Sequence, residues 1–382
     1  MFEFITSPRV VFGVGVTGQL PEITRQFGSR VLLVTGANQS RTRPIILSLE
    51  REQCAIARLQ IAQEPTVGDV QEGVTAVRAF AADVVVAIGG GSALDAGKAI
   101  AAVSTNPGEL ETFLEVVGQG KPLERPGLPC IAVPTTSGTG AEVTRNAVID
   151  VPSHSVKVSL RGPTVLPRVA MIDPGLTLSV PPEITAATGF DALTQVIEPY
   201  VSNRANPMTD ALARAGIELA ARSLRKAFHT PDDINARTDM ALVSLWGGIC
   251  LTNARLGAVH GLAGPIGGMS HASHGAICAA LLGPVMRANL VACQRRGGEA
   301  TVARFRAIAR MLTENASACA EDGIDWIEEI TRELGIRGLG ALGIERGQFG
   351  AIAERAARAS SMQGNPVPLT REDITAVLER AL

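Results

Sequence analysis

The stretch Val84–Ala101, "VVVAIGGGSALDAGKAIA", decides the fold of the first half of the chain. Its opening run is apolar without alternation, which is typical of a strand buried on both faces of a parallel sheet. Gly89–Gly91 end that run, and the Ser92-x-x-Asp95 pattern matches a capping box, so we expect a helix to begin at Ser92. The stretch therefore predicts a strand–turn–helix unit.

The same turn is a candidate ligand site. Glycines let a backbone approach a ligand closely, and a helix N-terminus offers free N–H groups to a phosphate. The spacing is not the G-x-G-x-x-G of the common dinucleotide fold, so the turn indicates a phosphate-bearing ligand without naming it. The alternative is a tight turn that holds no ligand.

A second turn of this kind, "PTTSGTGAEVT" from Pro134, follows the next apolar run. Thr135, Thr136 and Thr139 supply hydroxyl groups there, and Thr139-x-x-Glu142 is a further capping-box candidate. Ligands of open parallel sheets bind at the carboxyl ends of the strands. Two such turns in one sheet indicate a binding site more strongly than either turn alone.

The sequence pattern changes near Val180. Before it, apolar β-branched runs alternate with helical patterns, which predicts an α/β layer. After Ile184 the patterns are long and rich in Ala, Leu, Arg and Glu, as in amphipathic helices. We predict an α/β domain with a parallel sheet at 1–180 and an all-helical domain at 181–382. The predicted strands are Arg30–Gly36, Ala82–Gly91 and Pro129–Thr136, and the predicted crossover helices include Pro44–Gln53 and Val70–Phe80.

Composition narrows the class of protein. The 382 residues are 46% hydrophobic and 19% charged, which suits a globular enzyme, and a net charge of −2 gives no reason to expect a nucleic-acid partner. We identify no signal peptide and no apolar run of the ~18 residues that span a bilayer. The six scattered cysteines form no C-x-x-C pair and are expected to be buried, reduced thiols. A cytoplasmic protein without a membrane partner is the expectation.

Candidate metal ligands lie in the second half. Asp191 and Gln195 in "FDALTQVIEPYV" are one helical turn apart and share a face. His260 and His274 follow in the glycine-rich "VHGLAGPIGGMSHASHG". A carboxylate with two imidazoles is a workable set for Fe(II) or Zn(II) with open positions, and the alternative is a group of structural histidines.

These residues carry a resemblance to a known family. In order, the motifs are "RVVFGVG", "GGGSALDAGKA", "PTTSGTGAEVT", "DPGLTLSVPP", "TGFDALTQVIEPYVS", the "VHG…SHG" segment and "GNPVPLT". Over essentially its whole length the chain resembles the iron-containing (group III) alcohol dehydrogenases. The resemblance implies that 1–180 is a Rossmann-like dinucleotide-binding domain and that 181–382 is a helical metal- and substrate-binding domain. It also implies an active site in the cleft between them and, commonly, a homodimer.

The resemblance also implies roles for individual residues. Asp191, Gln195, His260 and His274 take the metal positions. Gly89, Gly90, Gly91, Ser92 and Asp95 correspond to the segment around the cofactor pyrophosphate. Thr135, Thr136 and Thr139 would line the same site, with Lys157 and Leu176 near the ribose and nicotinamide.

The chain departs from the family pattern at three positions. Gln195 stands where a second histidine is usual, so we expect a weaker or differently selective metal site. Gly264 replaces a histidine often assigned to proton relay, which leaves His271 as the acid–base candidate, with a hydrogen-bonded histidine of no catalytic role as the alternative. Gly36 replaces an aspartate typical of NAD-preferring members, so Gly36 and Asn38 make NADP at least as plausible as NAD.

The predicted function is an NAD(P)-dependent oxidoreductase that interconverts a small alcohol and its aldehyde or ketone with a divalent metal, Fe(II) or Zn(II). One alternative is a metal-independent carbonyl reductase of the maleylacetate reductase kind. An alternative of another class is a nucleotide-binding protein with an impaired catalytic centre.

Overall fold

The structure is a computed structural model that describes residues 1–154, 156–270 and 272–382. The chain folds into two compact units. The α/β unit comprises Thr6–Thr136 and Gly140–Leu178, and the helical unit comprises Met1–Ile5, Ser137–Thr139 and Ser179–Leu382. The two short segments of the helical unit, Met1–Ile5 and Ser137–Thr139, fall within the predicted first domain.

Within the described residues, the α/β unit contains a six-stranded parallel sheet in the order β1-β8-β5-β4-β2-β3, and a separate antiparallel hairpin of β6 and β7. The strands are β1 (Arg9–Phe12), β2 (Arg30–Thr35), β3 (Ala55–Gln60), β4 (Val84–Gly89), β5 (Cys130–Pro134), β6 (Asn146–Val151), β7 (Val156–Arg161) and β8 (Val169–Ile172). The helices of this unit are α1 (Leu20–Arg25), α2 (Gln39–Arg51), α3 (Val67–Phe80) and α4 (Gly91–Val103).

The central strand β4 positions the glycine-rich turn. Every residue of β4 is buried, as its continuous apolar run predicts. Helix α4 packs directly on this strand, because a Cβ at Gly97 would lie 2.5 Å from the Cβ of Ala87. That close contact requires glycine, and it holds the first turn of α4 at the carboxyl end of the sheet.

The helical unit is built around α5, in which every residue from Gly189 to Val201 is buried. Glycines let α5 and the neighbouring helix α6 approach closely. A Cβ at Gly189 would lie within 3 Å of Leu224, and one at Gly216 would lie within 3 Å of Val196. The helices are α5 (Pro182–Val201), α6 (Pro207–His229), α7 (Ile234–Ala254), α8 (Ala258–Ser270), α9 (His274–Arg295), α10 (Glu299–Thr313), α11 (Ala320–Glu333), α12 (Phe349–Ala357) and α13 (Arg371–Ala381).

Helix α9 is the one element among the described residues that is by itself long and apolar enough to cross a bilayer. Its most apolar window is 72% buried inside the fold, where α9 packs against α5, α8, α11 and α13. Burial on this scale is what the central helix of a helical bundle shows.

The predicted fold, a parallel sheet followed by a helical region, is confirmed, but three local predictions are wrong. Helix α4 begins at Gly91 with Gly90 as its N-cap, and no side chain caps it, so Ser92 does not start the helix. A short 3-10 helix at Ala141–Val143 is likewise preceded by Gly140, without a side-chain cap. All six cysteines are free as expected, but Cys319 is exposed, whereas the other five are buried.

Candidate active site

The glycine-rich turn of the α/β unit presents backbone rather than side chains. Gly90, the N-cap of α4, is extended with ψ of −177°, and as a glycine it has no side chain to accept a hydrogen bond from the first turn. The first N–H groups of a helix have no partner within the helix, and they lie at the positive end of its dipole. The N-terminus of α4 therefore fits an anionic group such as a phosphate.

The ends of the neighbouring strands surround this turn. The N–H of Thr135, after β5, donates to the carbonyl of Gly89 at 2.9 Å, and the N–H of Gly36, after β2, donates to Ile88 at 3.1 Å. A Cβ at Gly89 would lie 3.1 Å from the Gly36 nitrogen, and one at Gly90 would lie 3.5 Å from Thr136 Oγ1. The structure thus brings Gly36, Gly89, Gly90, Thr135 and Thr136 together, as the motif positions suggested.

Asp95 is held by a buried lysine. Lys98 is fully buried, with its Nζ 2.7 Å from Asp95 Oδ1. The same ammonium donates to the carbonyl of Ala141 at 2.9 Å and to Thr144 Oγ1 at 3.0 Å, and Asp95 Oδ2 accepts from the N–H of Val148 at 2.9 Å. Both carboxylate oxygens of Asp95 are therefore engaged, and this geometry favours a role in fixing α4 against the second turn over direct contact with a phosphate.

The remaining predicted nucleotide residues have contacts of their own. Asn38 caps α2, since its Oδ1 accepts from Ser40 Oγ at 2.7 Å and from the N–H of Arg41 at 3.4 Å. Lys157 on β7 lies 3.4 Å from Glu64 Oε1, and Leu176 packs against the apolar core on one face of the sheet. Ser92 is in the first turn of α4, and Thr139 falls in the helical unit.

In the helical unit, three predicted metal ligands converge from different helices. Asp191 lies on α5, His260 on α8 and His274 at the start of α9. His260 Nε2 is 3.2 Å and His274 Nε2 is 3.8 Å from Asp191 Oδ1. The Asp191 and His260 side chains are only 2% and 7% exposed, whereas that of His274 is 39% exposed, so the cluster opens towards solvent on the side of His274.

A second carboxylate orients His260, and sequence reasoning missed it. Glu198 Oε2 lies 2.8 Å from His260 Nδ1, while Glu198 Oε1 accepts from the N–H of Val259 at 2.7 Å. A carboxylate at Nδ1 favours the tautomer whose Nε2 lone pair faces Asp191, as in carboxylate–histidine–metal arrangements. The available signal was spacing, because Asp191, Gln195 and Glu198 form a polar i, i+4, i+7 stripe on an otherwise apolar helix.

The closing Asn-Pro motif supports the same region. Asn365 is buried, and its Oδ1 accepts from the N–H of Ala258 at 3.1 Å and from Asn289 Nδ2 at 3.1 Å. Its Nδ2 donates to the carbonyl of Val367 at 2.7 Å. Asn365 thereby fixes the start of α8, the helix that carries His260.

Gln195 and Gly264, two of the positions that depart from the family pattern, differ in what surrounds them. Gln195 Nε2 donates to the carbonyl of Gly138 at 3.1 Å, and within the described part of the chain its buried Oε1 has no hydrogen-bond partner. A Cβ at Gly264 would meet none of the described residues within 4 Å, so among them the missing histidine leaves open space. His271, the predicted acid–base residue, lies outside the described residues.

A fourth group, Cys278, belongs to the cluster and was not predicted. Its Sγ lies 3.6 Å from His274 Nε2 and 3.9 Å from His260 Nε2. The donor atoms of Asp191, His260, His274 and Cys278 all lie within 4.8 Å of one another. Cys278 follows His274 by one helical turn, which is the signal that could have indicated it.

The electrostatics of the cluster favour positive charge. The negative charge of a Cys278 thiolate is the largest influence on His274 and raises its pKa to about 9. Burial lowers the pKa of His260, but Cys278, Asp191 and Glu198 outweigh that effect and raise it well above 6.5. Burial raises the pKa of Asp191, yet the two imidazoles more than compensate and lower it. Anionic groups packed this closely stabilise a cation between them, so the donor set fits a divalent metal.

Comparison with known proteins now identifies the family. The family described as iron-containing alcohol dehydrogenase matches residues 7–174, and the C-terminal family of the Fe-containing alcohol dehydrogenases matches residues 185–382. The chain belongs to the iron-containing alcohol dehydrogenase family. This membership confirms the resemblance seen in the motifs, the fold and the oxidoreductase class, and the family implies a nicotinamide nucleotide and a metal.

Individual relatives of the iron-containing alcohol dehydrogenase family span the whole chain. Long-chain-alcohol dehydrogenase 1 of Geobacillus thermodenitrificans is 36% identical, over 98% of this chain and 96% of its own length. The NAD-dependent methanol dehydrogenase of Bacillus methanolicus is 33% identical, over 100% of both chains. A crystal structure of 1,3-propanediol oxidoreductase superimposes with a TM-score of 0.92 at 32% identity and covers 100% of both chains.

Proposed function

We propose that this chain interconverts a small alcohol and its aldehyde or ketone by hydride transfer to or from NAD(P), with a divalent metal, Fe(II) or Zn(II), in the helical unit. The observation that carries the proposal is the convergence of Asp191, His260 and His274, whose donor atoms lie within 4.8 Å of one another in an apolar core. Family membership supports the reaction class.

The α/β unit would bind the nucleotide. The uncapped N-terminus of α4 would hold the pyrophosphate through backbone N–H groups. Lys98 and Asp95 would keep that turn rigid, because their buried ion pair joins α4 to the segment after β5. The nicotinamide supplies a hydride acceptor or donor when the nucleotide is bound.

The helical unit would hold the substrate oxygen. Asp191, His260 and His274 would bind the metal, and Glu198 would keep the Nε2 lone pair of His260 directed into the site. A bound metal polarises the substrate oxygen as a Lewis acid and stabilises its alkoxide character. The exposed side of His274 would admit substrate, and the unpartnered Oε1 of Gln195 would accept a hydrogen bond from it.

One observation favours the metal-independent alternative. An amide is a poorer metal donor than an imidazole, and Gln195 turns its nitrogen towards Gly138. Without a metal, the histidines would form a polar pocket suited to an activated carbonyl, as expected of a reductase of the maleylacetate reductase kind. Elemental analysis of the protein as isolated, and activity before and after chelation, separate the two mechanisms.

The nucleotide preference is tested at Gly36. We propose that NADP is accepted because no carboxylate at Gly36 repels a 2′-phosphate. The space around Gly36 is sufficient, since among the described residues a Cβ there would meet only the Gly89 Cα, at 3.8 Å. The Gly36→Asp variant should lower kcat/KM for NADPH at least about tenfold relative to the isosteric Gly36→Asn variant, which is a change of about 1.4 kcal/mol. Equal losses in both variants would refute a charge effect.

The reaction itself is tested by following NADH and NADPH oxidation against a panel of aldehydes, ketones and keto acids. We expect oxidation with at least one small carbonyl compound. If neither nucleotide reacts with any member of the panel, the protein is a nucleotide-binding protein with an impaired catalytic centre. The expectations of a homodimer, a cytoplasmic location and an acid–base role for His271 remain predictions.

A further inference from the structure

Cys278 is the one buried nucleophilic group of the cluster that the mechanism above does not use. It lies on α9, one turn after His274, so that both side chains project from the same face of the helix. Its Sγ is 3.6 Å from His274 Nε2 and 3.9 Å from His260 Nε2. It therefore faces the same point as the two imidazoles.

The four donor atoms all lie within 4.8 Å of one another, and four of their six separations are close to those of a single coordination sphere. Tetrahedral zinc binds nitrogen and oxygen at about 2.0–2.1 Å and sulfur at about 2.3 Å, which places neighbouring N and O donors about 3.4 Å apart and N and S donors about 3.6 Å apart. In the structure, His260 and His274 lie 3.2 and 3.8 Å from Asp191 Oδ1. The sulfur separations of 3.6 and 3.9 Å match equally well. A single ion at the centre would reach all four donors with small side-chain movements.

Gln195 competes poorly for that role. Its amide nitrogen donates to the carbonyl of Gly138 at 3.1 Å and also interacts with the Asp191 carboxylate. Its Oε1 is a neutral oxygen donor, whereas a thiolate is charged and is preferred by Zn(II) and other soft ions. Cys278 on α9 would therefore replace the donor that is lost at position 195 on α5.

We propose that Cys278, as a thiolate, is a protein ligand of the metal together with Asp191, His260 and His274. This inference rests on the proposed metal site. Binding forms a metal–sulfur bond and releases the thiol proton to solvent, with no change in oxidation state. Zinc in catalytic sites can expand to five ligands, so four protein donors remain compatible with a substrate oxygen. The set should favour Zn(II) and Co(II) over Mg(II) and Mn(II).

Cobalt reports the sulfur bond directly. The full-length protein is stripped of metal with a chelator and titrated with Co(II) while its absorption spectrum is recorded. We expect an intense near-ultraviolet sulfur-to-cobalt charge-transfer band that saturates at one equivalent. The Cys278→Ser variant should lose the band and bind cobalt at least about 100-fold more weakly, because loss of a ligand costs no less than loss of a group that orients one.

Cys293 provides the matched control. It is also buried on α9 but lies outside the cluster, so Cys293→Ser should keep both the band and the affinity. The double variant Gln195→His, Cys278→Ser should bind cobalt again without the band, because an imidazole would replace the sulfur.

The outcomes separate this inference from the proposed function. Cobalt binding with ligand-field bands but no sulfur band in the unmodified protein would overturn the role of Cys278 and leave the metal site standing. Absence of cobalt binding would overturn both. If Cys278→Ser does not fold, the unmodified spectrum still decides, because among the described residues no other cysteine belongs to the cluster.

Discussion

The two candidate sites of this protein are built by opposite means. In the α/β unit, the turn after β4 offers backbone N–H groups, and the side chains near it, such as Asp95 and Lys98, are occupied with one another. In the helical unit, the cluster consists of side chains from three helices, held by a further carboxylate, Glu198. A backbone site is damaged by added Cβ atoms and loosened scaffolding. A side-chain site is damaged by loss of donors, but another donor can replace a lost one.

The largest expected effect is at a donor of the side-chain site. His260→Ala removes an imidazole that contacts Asp191 and Glu198 and leaves both carboxylates buried without it. We expect metal content below a tenth of that of the unmodified protein and a fall in kcat of about ten-thousandfold, or about 5.5 kcal/mol. His229→Ala, at an exposed histidine, should change neither quantity. Retention of full metal content in His260→Ala would contradict the cluster as the metal site.

Next in size is the scaffold of the backbone site. Lys98→Met removes the buried ammonium and leaves Asp95 without its counter-ion. Breaking a buried pair in this way costs about 3–5 kcal/mol, which denaturant unfolding of the α/β unit should show. Metal content should not change, and Lys121→Met, at an exposed position, should leave stability unaltered. If Lys98→Met lost metal but kept its stability, Lys98 would belong to the metal site and not to the scaffold of the backbone site.

A pH dependence follows from Glu142 in the α/β unit. Burial raises the pKa of this carboxyl from 4.5 to about 7, so the folded state binds the proton more tightly than the unfolded state. The contribution of Glu142 to stability is therefore complete below pH 4.5 and is lost as the pH rises through about 7. Glu142→Gln should stabilise the protein by up to about 3 kcal/mol near pH 8 and by almost nothing near pH 4. Thermal unfolding at the two pH values measures this, and an equal shift at both would contradict it.

The smallest effect concerns the orientation of a donor. Glu198→Gln keeps the shape of the side chain but weakens its hold on His260 Nδ1. We expect metal affinity to fall about 10–100-fold, or about 1.4–2.8 kcal/mol, as for other groups that orient metal-binding histidines. Competition with a chelator of known affinity measures this. Glu183→Gln, at the exposed start of the same helix, is the control and should bind metal normally.

The two sites also differ in how far the sequence predicted them. The strand–turn–helix unit of the glycine-rich segment could be predicted from the sequence because the strand, the glycines and the helix are contiguous in the chain. The capping prediction at Ser92 was wrong. A capping box requires the Asp95 carboxylate to accept from the backbone N–H of Ser92, but this carboxylate forms an ion pair with Lys98, one turn later. A local motif does not reveal such competition.

The side-chain site was predicted only in part. Asp191, His260 and His274 were found from residue type and family position, and the structure brings them together. Glu198 and Cys278 were missed because their roles depend on where α8 and α9 pack against α5. Buried glutamates and cysteines are common in helices, and spacing alone did not separate these two from the rest.

The most direct test of the account is a metal titration of the metal-free enzyme, with the initial rate of NAD(P)H oxidation measured at each addition. The account predicts that the rate is near zero without metal, rises in proportion to Zn(II) or Fe(II), and stops rising at one equivalent per chain. Full activity in protein shown by elemental analysis to contain no metal would contradict it.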